Sequence, residues 1–402
     1  MKQKGMCWLV FIFLILFFGI PVSAEMLNSE KKMADEKEIS GEQTEQENVY
    51  EKWQEHFLQE LDLDEVQKMI DDALGEHGIS VWEMMKSVMK GELPFSKETV
   101  QEMLYRLFFL RLNRERTLLS KIILLILIAA IFHVFTEVFE NGQMGTICFY
   151  MVYLLLFIFL ADNFSDMSSR LEKQLLWVSD FMKALAPAYY MTVAAATGVT
   201  TAAMFYQGVL LLVLLIQWGL SAIVLPCVNL YVLLMFVNHL SKEEMVSKFA
   251  ELLHVLIGWI LKTLMGVVIG LQVVRGLVTP AVDSLKRGAL GKTASVIPGI
   301  GNVVNTASDL ILTCAVLIRN SLGVVVLLIL VLFGAEPMIH YIVMSFAYRF
   351  LAAVAQPVSD KRIVACLGTM GEGCMLLLRV FFQAEFLCIV TFLILMMSFG
   401  GG

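Results

Sequence analysis

Hydrophobic positions divide the chain into an apolar leader, a polar head and a long apolar body. Residues 6–20 are apolar without interruption, and beyond Leu118 long apolar runs alternate with short polar breaks. A helix that crosses a hydrocarbon core of ~30 Å needs about 20 apolar residues. The body lacks the alternating polarity that the wall of a transmembrane β-barrel requires. The pattern therefore predicts an all-α polytopic membrane protein and disfavours a soluble enzyme.

We expect about eight transmembrane helices in the body. The stretch 205–240 is too long for one crossing and contains Pro226, so we divide it there. The C-terminal stretch 363–399 crosses at least once. The expected crossings are 118–139, 146–161, the two halves of 205–240, 252–274, 310–333, 338–355 and 363–399.

Two segments differ from these apolar runs and predict short re-entrant or broken helices. Pro187 leads into a run of Ala, Thr and Gly that contains Gly198. Pro298, Gly299 and Gly301 lead into a similarly small and polar run, 302–308. Neither segment has the large aliphatic residues of an ordinary transmembrane helix.

The positions of four prolines suggest an internal duplication. Pro187 and Pro298 are as far apart in the sequence as Pro226 and Pro337, and aliphatic runs lie between each pair. We divide the body into the first two transmembrane helices (118–162) and two repeat units (163–275 and 276–402). An odd number of crossings in each unit would invert the second unit relative to the first, as in many transporters. The alternative is that apolar helices of similar length align by chance.

The N-terminus has the composition of a secretory signal peptide. Lys2 and Lys4 precede the apolar run, small residues follow it, and the polar sequence starts at Glu25. We expect cleavage between Ala24 and Glu25; the alternative is an uncleaved anchor. The following residues, 25–48, predict an acidic disordered linker, and 49–117 predict a small helical region outside the cytoplasm.

The distribution of charge carries two opposite signals about orientation. Five basic residues between Arg106 and Lys121 flank the first crossing on the side that a signal peptide places outside, against the positive-inside rule. Basic residues in the later loops favour the orientation that the signal peptide gives. We follow the signal peptide, because the basic cluster lies on an amphipathic helix that can rest on the lipid surface. The net charge of −7 lies mostly in the acidic head and disfavours nucleic acid as a partner.

Ionisable residues inside the apolar runs are the candidates for chemistry. A charge at the bilayer centre costs at least ~2.5–3.5 kcal/mol, so such residues are usually paired or face water. These residues are Lys262, Asp309, Arg319, Glu336, Arg349, Glu372, Arg379 and Glu385. We interpret Asp309, Arg319 and Glu336, with Pro187, Gly198, Pro298, Gly299, Gly301 and Pro337, as the lining of a pathway or as packing positions. The alternative is structural pairing or snorkelling near helix ends.

No motif indicates an enzyme, a metal or a cofactor. The sequence contains neither H-E-x-x-H nor G-x-S-x-G, and the cysteines have no ligand-like spacing. Residues 288–293 resemble the end of a phosphate-binding loop, but Lys286 occupies the position of its first glycine. Gly266 and Gly270 form a G-x-x-x-G motif, which we interpret as a site of intramolecular helix packing.

The order of these parts resembles the stage III sporulation protein AE family of endospore-forming bacteria. The resemblance is carried by 91–93, by 186–187 with the Ala/Thr/Gly run, by 238–242, by 292–309, and by the stretch from Arg319-Asn320 to Gln356-Pro357. The acidic tract 25–48 does not fit the family closely.

The resemblance implies a non-enzymatic component of a secretion-like channel between mother cell and engulfed forespore. Such a protein would lie in the mother-cell membrane facing the forespore, with other proteins of the same complex and a separate cytoplasmic ATPase. Two alternatives remain open. One is a stand-alone secondary transporter, and the other is a membrane scaffold that does not conduct.

Overall fold

The computed structural model describes most of the apolar body and parts of the head. The described residues are 61, 63–74, 80–92, 105, 116–117, 119–124, 126–128, 130–131, 142–197, 199–240, 246–290, 301–357 and 359–398. In some of these ranges, among them 275–290 and 301–312, only the backbone is described. The leader, with Ala24 and Glu25, and the acidic linker lie outside the described residues.

The described part of the head contains two short helices, and both pack against the body. They are α1 (Asp64–Leu74) and α2 (Val81–Met89). The Ser80 hydroxyl accepts a hydrogen bond from the backbone N–H of Glu83 at 3.4 Å and so caps the start of α2. Gly91, with φ of 76°, ends it. The buried side chains of α2 face the body, where α2 contacts the helix Gly301–Ala355.

Long helices form the body, and they confirm the all-α prediction. They are α3 (Gly142–Thr197), α4 (Val199–Trp218), α5 (Leu225–Leu240), α6 (Ser247–Leu290), α7 (Gly301–Ala355) and α8 (Lys361–Ser398), with a π-helical turn (Gly219–Val224) between α4 and α5.

Helix α8 lies at the centre of the bundle, and its contacts with α7 and α5 show antiparallel packing. The Ser345 hydroxyl donates to the backbone carbonyl of Gly371 at 2.8 Å, and farther along α8 the carboxyl of Glu385 lies against the earlier residue Gly334. Contacts that move forward along α8 thus move backward along α7. On the other side, His239 near the end of α5 meets Thr369 near the start of α8.

Helices α3 and α6 run parallel to α8. Tyr153, near the start of α3, contacts Cys366 near the start of α8, and Tyr189, near the end of α3, packs edge-on against Phe392. In α6, the Leu261 carbonyl accepts a hydrogen bond from Gln383, and Gln272, farther along α6, donates to Thr391, farther along α8. Helix α4 folds back antiparallel on α3. The described helices therefore form a bundle whose successive long helices alternate in direction.

Within the described residues, five helical stretches are long and apolar enough to cross a membrane, fewer than the eight expected. They are Tyr150–Ala195, Tyr206–Leu240, Ser247–Val274, Thr313–Ala355 and Lys361–Ile394. A short apolar helix, Leu119–Ile128, lies within the first expected crossing, and the remainder of that crossing is largely outside the described residues.

The expected boundaries at prolines were wrong, because the helices continue through them. Crossings 310–333 and 338–355 belong to a single helix, α7, with Pro337 in its interior. Pro187 likewise lies inside α3, so the helix does not break there. Pro226 lies in the first turn of α5, directly after the π-helical turn, so the chain stays helical across this expected boundary. Proline removes one backbone hydrogen bond and kinks a helix, and in lipid neighbouring helices and local π-helical adjustments compensate.

The inverted relation between the two proposed repeats also disagrees with the structure. Pro226 lies at the start of α5 and Pro337 lies in α7, and both helices run antiparallel to α8. Corresponding helices of an inverted repeat would run in opposite directions. The Ala/Thr/Gly run forms the adjoining ends of α3 and α4, separated by Gly198, which is outside the described residues. Its re-entry into the membrane stays a prediction.

Large apolar side chains cover the outside of the bundle. Trp218 and Trp259 are 64% and 70% exposed, and many Leu, Ile, Val and Phe side chains on the same surface are also exposed. A soluble monomer rarely presents so much contiguous apolar surface, whereas lipid tails accept it. The chain is therefore a membrane protein. At 1.5 Å per residue, α3 is about 84 Å long, more than twice the thickness of a hydrocarbon core.

Candidate functional site

Polar side chains form three layers along the bundle, and the first surrounds Glu372, whose own side chain is exposed. The Tyr231 hydroxyl donates to the Glu372 carboxylate at 3.2 Å, and His239 Nε2 lies 3.0 Å from the Thr369 hydroxyl. The side chain of Arg349 packs against Gly371. We call these six residues the Glu372 layer. Polar contacts connect α5 with α8, and the packing of Arg349 on Gly371 connects α7 with α8.

The second layer centres on Glu385, whose side chain is 1% exposed. Among the described residues, neither carboxyl oxygen has a hydrogen-bond partner. The carboxyl lies directly over Gly334 of α7: a Cβ added to Gly334 would lie 3.0 Å from Glu385 Cδ and 3.1 Å from Oε1. Next to Gly334, Phe333 stacks on Trp177 of α3 with a centroid distance of 3.4 Å. We call these four residues the Glu385 layer.

The third layer lies around Arg319, which is fully buried. Its Nη2 donates to Asn320 Oδ1 at 3.1 Å, and Tyr189 of α3 lies close enough for an electrostatic interaction. These three residues form the Arg319 layer. A cavity of ≈ 20 Å³ adjoins Tyr189, with room for about one water molecule. Its lining residues come from α3, α4 and α8: Met182, Ala186, Tyr189, Tyr190, Val193, Ala202, Tyr206, Val209 and Phe392.

The three layers are stacked along α8. At 1.5 Å per residue, Glu385 lies about 20 Å beyond Glu372 along α8, and Arg319 lies about 22 Å from Gly334 along the antiparallel helix α7. The arrangement places ionisable groups at intervals along the bundle, where such groups are usually paired or face water.

The predicted site residues that the structure describes are distributed over these layers. Arg319 belongs to the Arg319 layer, and Pro187 lies two residues before Tyr189. Glu336 is half-buried and follows Gly334 closely, with Pro337 directly after it. Arg319 and Glu336 are about 25 Å apart along α7 and so do not form one site.

The other predicted site residues are described only in part or not at all. Gly301 begins α7, and Asp309 lies in its first turns without a described side chain. Gly198, Pro298 and Gly299 lie outside the described residues.

Sequence reasoning missed the close approach of α8 to its neighbours. Gly371 lies against Arg349, and a Cβ on Gly373 would lie 2.6 Å from Phe164 Cε2 and 2.9 Å from Val232 Cγ2. The small residues between Gly368 and Gly373 were the available signal, since small residues at helical spacing permit close packing in lipid.

The interpretation of Gly266 and Gly270 as an intramolecular packing motif was wrong. Both glycines are exposed, and a Cβ on either would meet no atom of the described residues within 4 Å. The motif therefore faces outward from the bundle.

The part of the chain that the structure describes contains no candidate set of metal ligands. There, no three His, Cys, Asp or Glu side chains are placed to hold a metal ion. The described polar groups are instead single carboxyl, guanidinium, imidazole and hydroxyl groups on different helices.

Comparison with known sequences identifies the family. The sequence profile of Stage III sporulation protein AE matches residues 79–399, which include α2 and the whole bundle. The chain belongs to this family. One relative is the Stage III sporulation protein AE of Bacillus subtilis (strain 168), which is 24% identical over 318 residues, covering 78% of this chain and 80% of the relative. No solved structure matches the chain. Membership in the stage III sporulation protein AE family implies a role in sporulation and agrees with the resemblance noted from the sequence.

Proposed function

We propose that this chain is a non-enzymatic membrane component of a secretion-like channel complex between mother cell and forespore. It lies in the mother-cell membrane, facing the forespore, and acts with other proteins of the same complex and a separate cytoplasmic ATPase. Family membership supports the sporulation role, and the apolar outer surface supports the membrane location. The assembly into a complex rests on one further observation, at the outer face of α6.

The outer face of α6 has features that favour another helix over lipid. Lys262 is exposed near the middle of the membrane-spanning stretch Ser247–Val274, where a charge facing lipid is costly. One and two turns farther, Gly266 and Gly270 leave open space on the same side of the helix. Small residues let a second backbone approach closely, and a polar or acidic side chain on that helix would pair with the lysine.

The outer face of α6 also distinguishes the proposed component of a complex from a stand-alone transporter. A transporter that works alone needs no protein on its lipid-facing surface, whereas a component of a complex does. The face of α6 that carries Lys262, Gly266 and Gly270 is therefore the surface on which we expect a membrane-spanning partner protein.

Site-specific photo-crosslinking in sporulating cells tests the contact. A photoreactive residue at Thr263, which is exposed beside Lys262, should crosslink to a membrane protein encoded in the same operon. The matched control is Leu261, which is 7% exposed and faces the bundle. A crosslink to lipid alone at Thr263, in cells where the complex is assembled, would contradict the proposed contact.

The sporulation phenotype tests the function itself. Deleting the gene should let engulfment finish and should stop the forespore from maturing, since the channel would act between these two stages. A fluorescent fusion should concentrate in the membrane around the forespore during the same interval. A normal yield of mature spores from the deletion strain would refute the proposal.

A further inference from the structure

Glu385 is a buried carboxyl group that no other described residue compensates. It lies in α8 within the membrane-spanning stretch Lys361–Ile394, and its side chain is 1% exposed. Neither Oε1 nor Oε2 has a hydrogen-bond partner in the described part of the chain. An isolated carboxylate in such surroundings costs far more than a neutral carboxylic acid. The position therefore demands a bound proton or a bound cation.

Titratable and charged groups on the surrounding helices do not remove the need for a bound proton or cation at Glu385. They are Arg379 and Cys388 on α8, Glu336 and His340 on α7, Asp180 and Lys183 on α3, and Lys262 on α6. Asp180 and Lys183 form an exposed ion pair with each other at 2.8 Å, and Lys262 is exposed on the outer face. None of them hydrogen-bonds to Glu385.

The helix opposite Glu385 supplies an acceptor for a proton. Pro337 in α7 has no backbone N–H, so the carbonyl of Phe333 lacks the partner that a regular helix would give it. Phe333 precedes Gly334, the residue over which the Glu385 carboxyl lies. Because glycine has no side chain, the carboxyl reaches the backbone of α7 at the turn where that carbonyl is released. A protonated carboxyl has an O–H to donate there, and a carboxylate has none.

We propose that Glu385, Gly334 and the Pro337 kink form a proton-binding site at the crossing of α7 and α8. In this conformation the site holds Glu385 as a neutral carboxylic acid at neutral pH. Releasing the proton requires the two helices to separate enough to admit water or a cation. Proton occupancy and the packing of α7 on α8 are therefore linked, and by reciprocity a change that opens the crossing releases the proton.

Infrared difference spectroscopy tests the protonation state directly. Purified wild-type protein in detergent at pH 7 should show a carbonyl-stretch band of a protonated carboxylic acid, and Glu385→Gln should lack it. Glu372→Gln is the matched control, because Glu372 is an exposed carboxyl on the same helix. This control should keep the band. A wild-type spectrum without the band at pH 7 would overturn the proposal.

Labelling with dicyclohexylcarbodiimide gives a second, independent readout. This apolar reagent adds to a protonated carboxyl: the acid proton moves to a carbodiimide nitrogen, the carboxyl oxygen bonds to its central carbon, and rearrangement leaves a stable N-acylurea. After trypsin cleavage behind Arg379, the peptide that starts at Val380 contains Glu385 as the only acidic side chain between 380 and 402. We expect this peptide to gain the mass of one carbodiimide, and Glu385→Gln to lose the label.

Sodium distinguishes the two possible ligands in both experiments. If added sodium chloride removes the infrared band and prevents labelling while potassium chloride does not, the site binds sodium and the proton-binding proposal fails. If neither salt changes either readout, the proton is the ligand. Both experiments use purified protein and do not depend on partners or on the sporulation phenotype.

Discussion

Replacing Gly373 with alanine should destabilise the bundle, because this glycine lies where α8 touches both α3 and α5. The added Cβ would lie 2.6 Å from Phe164 Cε2 and 2.9 Å from Val232 Cγ2. Ordinary contacts begin near 3.4 Å, so the two side chains must move apart from α8 by several tenths of an ångström. Gly373 is buried and both neighbours lie in the core, so the movement disturbs packing that is already dense.

The expected magnitude combines two opposing effects. Overpacking a core typically costs about 1–3 kcal/mol. Exchanging glycine for alanine inside a helix typically gains about 1 kcal/mol of helix propensity. The net loss for Gly373→Ala is therefore between zero and about 2 kcal/mol.

Gly368→Ala is the matched control that isolates the packing effect. Gly368 lies in the same helix, and a Cβ there would meet no atom within 4 Å. It should gain the helix propensity without the clash, so the two variants should differ by about 1–3 kcal/mol.

Unfolding of the purified variants in detergent, followed by circular dichroism, measures this difference. Equal unfolding midpoints for Gly373→Ala and Gly368→Ala would refute the close approach. Removing one contacting side chain should make the second substitution less costly, so the combination of Gly373→Ala with Val232→Ala should show a favourable coupling energy in a double-mutant cycle.

Three further predictions follow from other contacts and from the leader. Tyr153→Phe removes a buried hydroxyl that donates to the Phe236 carbonyl at 2.9 Å, and it should lower the free energy of unfolding by about 0.5–1.5 kcal/mol in the same assay; an unchanged midpoint would argue against this bond. Gln272→Leu removes the 2.8 Å hydrogen bond to Thr391 and should cost about 0.6 kcal/mol, with Leu271→Ala on the exposed side of α6 as the neutral comparison. N-terminal sequencing of the mature membrane form should start at Glu25, whereas a start at Met1 would indicate an uncleaved anchor.

The sequence predicted the helical membrane body well, because the requirement for long apolar helices leaves a clear compositional trace. The starts of α6 and α8 follow the polar breaks that were recognised before 252 and 363. The end of α2 at Gly91 was also predictable, since glycine readily adopts the positive φ that the turn needs.

Helix continuity could not be predicted from proline positions alone. Whether a proline ends a helix in lipid depends on neighbouring helices, which are not visible in a local sequence window. Pro337 interrupts the hydrogen-bond pattern of α7 without ending the helix, and Pro226 follows the π-helical turn. Both were treated as boundaries, so the sequence predicted more crossings around these prolines than the described helices form.

The sequence identified which ionisable residues belong to the candidate site. It did not show which of these residues lie next to each other. Arg319 and Glu336 were recognised because charged residues are rare in apolar helices, but their separation along α7 became clear only from the fold. Glu385 was among the candidates for the same reason. Its lack of a partner and its position over Gly334 depend on the register of α7 against α8, which composition does not encode.

The alternating directions of the long helices have a consequence for the two ends of the bundle. From α3 to α8 the chain runs along the bundle axis five times, counting α4 and α5 as one continuous passage. Because this number is odd, Gly142 and Ser398 lie at opposite ends of the bundle. A protein that binds at the end of α8 and one that binds beside the first turn of α3 therefore meet opposite ends of the bundle.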